Sequence, residues 1–129
     1  MPRVTINAPE APEAIGPYSH SVRVGGQLLF ISGQIPLDPA TGELVEGGAG
    51  DQARRCLQNL AAIASAAGTE LESAVKITVY LTDMESFSEV NEVYGSFFRH
   101  DPPARVAIAV AALPKGAQVE IDAVVAVGD

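Results

Sequence analysis

Hydrophobic positions change period several times along this chain, and each change marks an element. Val75, Ile77, Val79 and Leu81 alternate with Lys76, Thr78 and Tyr80, the period-two pattern of a strand. Leu57, Leu60, Ala61 and Ala64 recur at helical spacing, widened by Ile63 and Ala67. They predict a helix capped by Asp51 and stopped by Gly68. Phe87, Val90, Tyr94 and Phe97 predict the buried face of a second helix, started at Asp83 or Ser86 and ended by Asp101-Pro102-Pro103. Thr69 with Glu72 matches a capping box, which predicts a short helical turn before the alternating strand.

Upstream, Pro9, Pro12 and Pro17 favour an extended arm. Ser21 to Val24 and Leu28 to Ser32 flank Gly25-Gly26 and read as a two-residue hairpin. Residues 36–50 hold Asp38-Pro39, Thr41-Gly42 and Gly47-Gly48, and read as loop with room for a short strand. Arg105 to Ala111 and Val119 to Val127 predict two closing strands around a turn at Pro114 and Gly116. The order β-β-(β)-α-β-α-β-β predicts an α+β sandwich, a mixed sheet with both helices on one face, in a single domain over residues 1–129.

By side-chain size, Val106, Ile108 and Val110 are expected under the helices, with Arg105, Ala107, Ala109 and Ala111 on the opposite face. Val124 and Ala126 join that second face beside Glu120 and Asp122. A face this apolar is poor solvent surface, and the chain has no third helix to cover it. A symmetric homo-oligomer is the simplest cover; a modestly apolar exposed face is the alternative.

Composition narrows the chemistry. The 129 residues are 47% hydrophobic and 19% charged, a globular balance. Sixteen acidic against eight basic residues give a net charge of −8, which repels phosphate backbones and speaks against nucleic acid as a partner. One cysteine, Cys56, excludes an intrachain disulfide and a cysteine metal cluster, and His20 and His100 are too few for a histidine-rich metal site. With no apolar signal region and no membrane-length apolar run, the expected location is the cytoplasm, with no membrane partner.

Arg105 is the sharpest candidate for chemistry. It begins a strand of small apolar residues with no nearby carboxylate in sequence, and its planar fork suits a carboxylate or phosphate. From position alone, a structural pairing with Glu120 or Asp122 across the adjacent strand is the slightly stronger alternative. Those two acids, two apart on one strand, share a face where a carboxylate can orient or deprotonate water; a surface pair is the plain alternative. Tyr18, Ser19 and His20 cluster where the arm meets the first strand, and Ser32-Gly33-Gln34 ends another. Asn91 shares a helical face with Phe87 and Tyr94 and reads as a buried amide in need of partners. Gly47 to Gly50 lacks the spacing of a phosphate loop or dinucleotide fold, and Cys56 reads as core.

Taken together, IGPYSH, ISGQIP, the AxRCLxNL helix, VxKxTVYLTDMxxFxxVNxVYxxFF and PPARVAIAVAALPKGAQVEIDAV resemble the Rid family of enamine/imine deaminases, also described as L-PSP endoribonuclease or translation inhibitor. The resemblance runs from about Ile6 to Val127. It implies a chorismate-mutase-like fold assembled as a homotrimer, with sites in the clefts between subunits. It also implies hydrolysis of 2-iminobutanoate and 2-iminopropanoate to 2-oxo acids and ammonia, without cofactor or metal. Carried over by position, Arg105 would bind the substrate carboxylate and Glu120 would hold the attacking water. Tyr18, Ser32 and Asn91 would shape the pocket, and the backbone at Ala107 would contribute polar contacts. Many relatives carry cysteine where this chain has Ala107, which excludes thiol chemistry at that position. A non-catalytic oxo-acid-binding or regulatory trimer is the alternative, and a ribonuclease or translation inhibitor a third reading that the acidic charge disfavours.

Overall fold

The computed structural model describes residues 3–128. A two-stranded antiparallel ribbon is formed by β1 (Arg3–Ile6) and β2 (Ser21–Val24). A four-stranded mixed sheet follows from β3 (Gln27–Gln34), β4 (Ala74–Leu81), β5 (Ala104–Ala109) and β6 (Val119–Val127), in the order β3-β6-β4-β5. Pairing is antiparallel except between β4 and β5, which run parallel. Two helices, α1 (Ala49–Ala66) and α2 (Phe87–Phe97), pack together on the mixed sheet. The α+β architecture matches the sequence expectation. Among the described residues no helix is long and apolar enough to cross a membrane.

The core follows from the helical stripe and the alternating strands. Ala53, Cys56, Leu57, Leu60 and Ala64 of α1 and Val90 and Tyr94 of α2 are buried against Ile77, Val79 and Leu81 of β4 and Val119, Ile121, Ala123 and Val125 of β6. Gln52 is buried too, its Oε1 accepting the Gln118 amide at 2.8 Å. Gly68, at φ 86°, ends α1 as expected, where the Thr69 amide reaches back to the Ala64 carbonyl at 3.0 Å.

Several local readings change. Asp51 is not the N-cap of α1 but lies one turn inside, its Oδ2 accepting the amide of the N-cap Gly48 at 3.2 Å. The turn after α1 is a 3₁₀ segment, Leu71–Ser73, entered at Glu70; the Thr69 hydroxyl instead donates to the Ala126 carbonyl at 2.7 Å. Asp83 caps a 3₁₀ turn, Met84–Ser86, that leads into α2. The loop over 36–50 contains one bridge, Leu37 to Leu44. Gly25-Gly26 makes no hairpin. β2 pairs with β1, β3 pairs with β6, and Gly26 at φ 85° passes the chain from one sheet to the other.

The main correction concerns β5. Its register sets Arg105 opposite Ile77 and Ala107 opposite Val79, so these two face the helices, while Val106 and Ile108 face away at 41% and 40% exposure. Size patterning fails here because the Phe87 and Tyr94 rings of α2 pack over this edge strand, taking up the Arg105 guanidinium and leaving Ala107 beside it. The second face is apolar, as expected, but through other residues. Leu28, Phe30 (73% exposed), Val106, Ile108 and Val124 lie there with Glu120 and Asp122. Such a patch is larger than scattered single exposures account for.

Candidate functional site

Helical spacing on α2 places Phe87, Asn91 and Tyr94 on one face, directly over the start of β5. Arg105 rises into them. Its Nη1 donates to Asn91 Oδ1 at 2.7 Å, and its Cζ lies 4.8 Å from the centre of the Tyr94 ring and 5.4 Å from those of Phe87 and Tyr18. Tyr18 comes from the segment between the arm and β2. Gly16 closes the far side: a side chain there would begin 3.3 Å from Arg105 Nη2 and 3.6 Å from Asn91 Nδ2. Three ring faces and an amide oxygen thus hold one guanidinium in a fixed plane.

Among the described residues no carboxylate balances this charge. Asn91 is the hydrogen-bond partner of the guanidinium, and the electrostatic influences on it come from Tyr94 and Tyr18. Burial pulls the Arg105 pKa down, and the two phenols partly offset this. An arginine stays protonated regardless, so the site is a desolvated cation with donors to spare. Such a group suits a small planar anion.

Glu120 is elsewhere. It pairs with Tyr80 of β4, alternates with the buried Ile121, and therefore leaves the sheet on the face away from the helices. Arg105 is not adjacent to Glu120 or Asp122, because β4 separates β5 from β6. The Glu120 carboxylate instead lies over Gly33, where a Cβ would come 2.1 Å from Oε2. Gly33 and the exposed Ser32 occupy a register shift in β3 between Ile31 and Gln34. Asp122 accepts a hydrogen bond from the Tyr80 hydroxyl at 3.1 Å. The candidate residues therefore lie on opposite sides of the sheet: Arg105, Asn91, Tyr18 and the partly buried Ala107 on the helix side, Glu120 over Gly33 on the other, with the exposed Ser32 beside Gly33 in the register shift.

Three contributors escaped sequence reasoning as site residues: Gly16, Phe87 and Tyr94. The signal was present in the shared helical face of Phe87, Asn91 and Tyr94, but Arg105 had been assigned to the wrong side of β5. Among the described residues no group of three or more His, Cys, Asp or Glu is arranged to hold a metal ion. Cys56 is buried in the core, where desolvation pushes its thiol up to about 12.

Residues 8–127 match the family described as Endoribonuclease L-PSP. RutC family protein y4sK of Sinorhizobium fredii is 55% identical, the match covering 93% of this chain and 94% of that one. The human protein named 2-iminobutanoate/2-iminopropanoate deaminase is 48% identical over 95% of this chain and 88% of its own. The crystal structure of E. coli TdcF with bound serine superposes with a TM-score of 0.75 at 41% identity, covering 97% and 99% of the two chains. Sequence, fold and length agree throughout, and the chain belongs to the L-PSP endoribonuclease-like Rid family.

Proposed function

We propose that the protein hydrolyses 2-iminobutanoate and 2-iminopropanoate to the 2-oxo acids and ammonia, in clefts between the subunits of a homotrimer. The observation that carries this reading is the Arg105 guanidinium, held by Asn91 and three rings yet without a carboxylate partner among the described residues. The deaminase relatives support the reaction, and the serine-bound TdcF supports a small carboxylate as occupant.

In this reading Arg105 takes the substrate carboxylate and Tyr18 closes over it. Glu120, presented by a neighbouring copy beside Ser32, holds the water, and the backbone at Ala107 adds polar contacts. The water oxygen bonds to the iminium carbon, its proton passes to Glu120, and the C=N π pair moves to nitrogen. The resulting carbinolamine takes that proton on nitrogen, loses its hydroxyl proton to the carboxylate, and expels ammonia as the carbonyl forms. An iminium carbon is already electrophilic, so positioned water and a fixed anion suffice without a cofactor. The exposed Leu28, Phe30, Val106 and Ile108, with the half-buried Val124, supply the contact between copies.

The test generates 2-iminobutanoate in situ and follows semicarbazone trapping. Wild-type protein should remove the imine faster than its spontaneous hydrolysis, Arg105→Ala and Glu120→Gln should not. Co-expressing these two inactive chains should restore about a quarter of the sites, because random mixing places one intact Arg105 opposite one intact Glu120 at that frequency. No acceleration by wild-type protein overturns the reaction. No recovery on mixing overturns the shared site.

A further inference from the structure

His20 fastens the arm that leads to Gly16 and Tyr18 beside Arg105. The Ala8 amide donates to His20 Nδ1 at 2.9 Å, and Nε2 lies 2.6 Å from the Pro12 carbonyl. An amide donor at Nδ1 needs a lone pair there, so the ring proton is on Nε2 and donates to Pro12. The His20 backbone amide also donates to Asn7 Oδ1 at 2.8 Å. One residue therefore gathers positions 7, 8 and 12 against position 20. Among the described residues, Glu13 on the arm is the only other titratable side chain lining this hollow.

The clamp is a short walk from the guanidinium. Four residues beyond Pro12 the chain reaches Gly16, where a side chain would begin 3.3 Å from Arg105 Nη2, and then Tyr18, whose ring lies on the same cation. The Ile15 amide contacts the Tyr18 hydroxyl at 3.4 Å, so arm and ring are joined again just before the site. Ser19 anchors the other side, its hydroxyl donating to the Pro102 carbonyl at 2.5 Å and its amide to Pro103 at 3.2 Å. Tyr18 is thus held between a fixed anchor on the Pro-Pro turn and a titratable one on the arm.

We infer that His20 is a positioning residue for the Arg105 site: neutral, it holds the arm so that Gly16 and Tyr18 press on the guanidinium; protonated, it lets them go and weakens carboxylate binding. The inference rests on the reading of Arg105 as the carboxylate-binding group. Its chemistry is simple. A proton on Nδ1 turns that nitrogen from acceptor to donor, facing the Ala8 N–H across 2.9 Å. Two donors cannot share that contact, so the ring turns or the arm withdraws.

The experiment measures 2-oxobutanoate affinity by calorimetry at acid and mildly alkaline pH for wild type, His20→Gln and His20→Ala. Wild type should lose roughly fivefold to tenfold in affinity toward acid, the worth of about one hydrogen bond in a positioning network. His20→Gln keeps an amide able to reach Pro12 but cannot gain charge, and its affinity should stay flat. His20→Ala should bind weakly at both values. Parallel pH profiles for wild type and His20→Gln, or full-strength binding by His20→Ala at alkaline pH, would overturn the inference. A ligand-free measurement separates the two readings: the backbone amide signals of Ala8 and Tyr18 should move together with the His20 ring titration. If they move and no carboxylate binds at any pH, Arg105 has been misread while the clamp stands. If they stay still, the clamp is wrong whatever Arg105 binds.

Discussion

Ile77 and Arg105 are register partners across the parallel β4–β5 pair, so a guanidinium leaves the sheet on the same side as a fully buried isoleucine. The environment penalises that charge: desolvation is the leading influence on Arg105, only partly offset by Tyr94 and Tyr18. Stability alone would favour an apolar side chain here. Arg105→Leu should therefore melt at or above the wild-type temperature while calorimetric binding of 2-oxobutanoate disappears. A marked fall in melting temperature would show that the residue serves the fold through Asn91.

Tyr94 is fully buried and its hydroxyl has no hydrogen-bond partner among the described residues, while its ring stacks on Arg105 and lies 4.7 Å from that of Phe98. The ring does the packing and the oxygen is a liability. Tyr94→Phe should hold or gain stability, by about 1 kcal/mol at most, with ligand affinity within twofold or so of wild type. Urea unfolding and calorimetry measure the two. Tyr94→Leu, which removes the ring face, should lose affinity.

Cys56 offers a pH signature. Burial, with Glu120 second, raises its pKa to about 12, so the folded chain keeps the proton that an unfolded thiol gives up near the ordinary value of 9.0. Between those values the native state binds more protons, so this contribution to stability is complete below about pH 9 and is lost as pH climbs toward 12. Thiol reagents at pH 8 should label the denatured chain and leave the native one essentially unmodified. Rapid native labelling would contradict the buried position.

Gly33 leaves space for a carboxylate. A methyl there would come within 2.1 Å of Glu120 Oε2, the far end of a flexible side chain, which can swing away without disturbing the backbone. Gly33→Ala should thus retain its melting temperature and its 2-oxobutanoate affinity while imine turnover drops by about tenfold or more, as misplaced catalytic groups do. Equal losses in affinity and turnover would mean that the glycine serves the sheet rather than Glu120.

Legibility in the sequence tracked how local the determining physics was. The α1 and α2 stripes and the β4 alternation depend on neighbours a few residues away, and they were read correctly with small shifts at their ends. The Gly25-Gly26 hairpin was misread because the strand partners of β2 and β3, namely β1 and β6, lie outside that neighbourhood. Arg105, Asn91, Tyr18, Ser32, Ala107 and Glu120 were singled out in advance. Their distribution over two sheet faces was not, because the side chosen by an edge strand depends on what packs above it. Phe87 and Tyr94, which take up the flat guanidinium there beside Ala107, come from another element.

The division of polar equipment between the two sides of the sheet has a consequence for how such a molecule behaves when scarce. A lone folded chain presents its cation to one half-space and its acid to the other, so on the proposed mechanism it is only half a catalyst in each direction. If the reaction needs both, as proposed, it becomes a property of encounters, and its yield per chain should fade on dilution even though every copy remains folded.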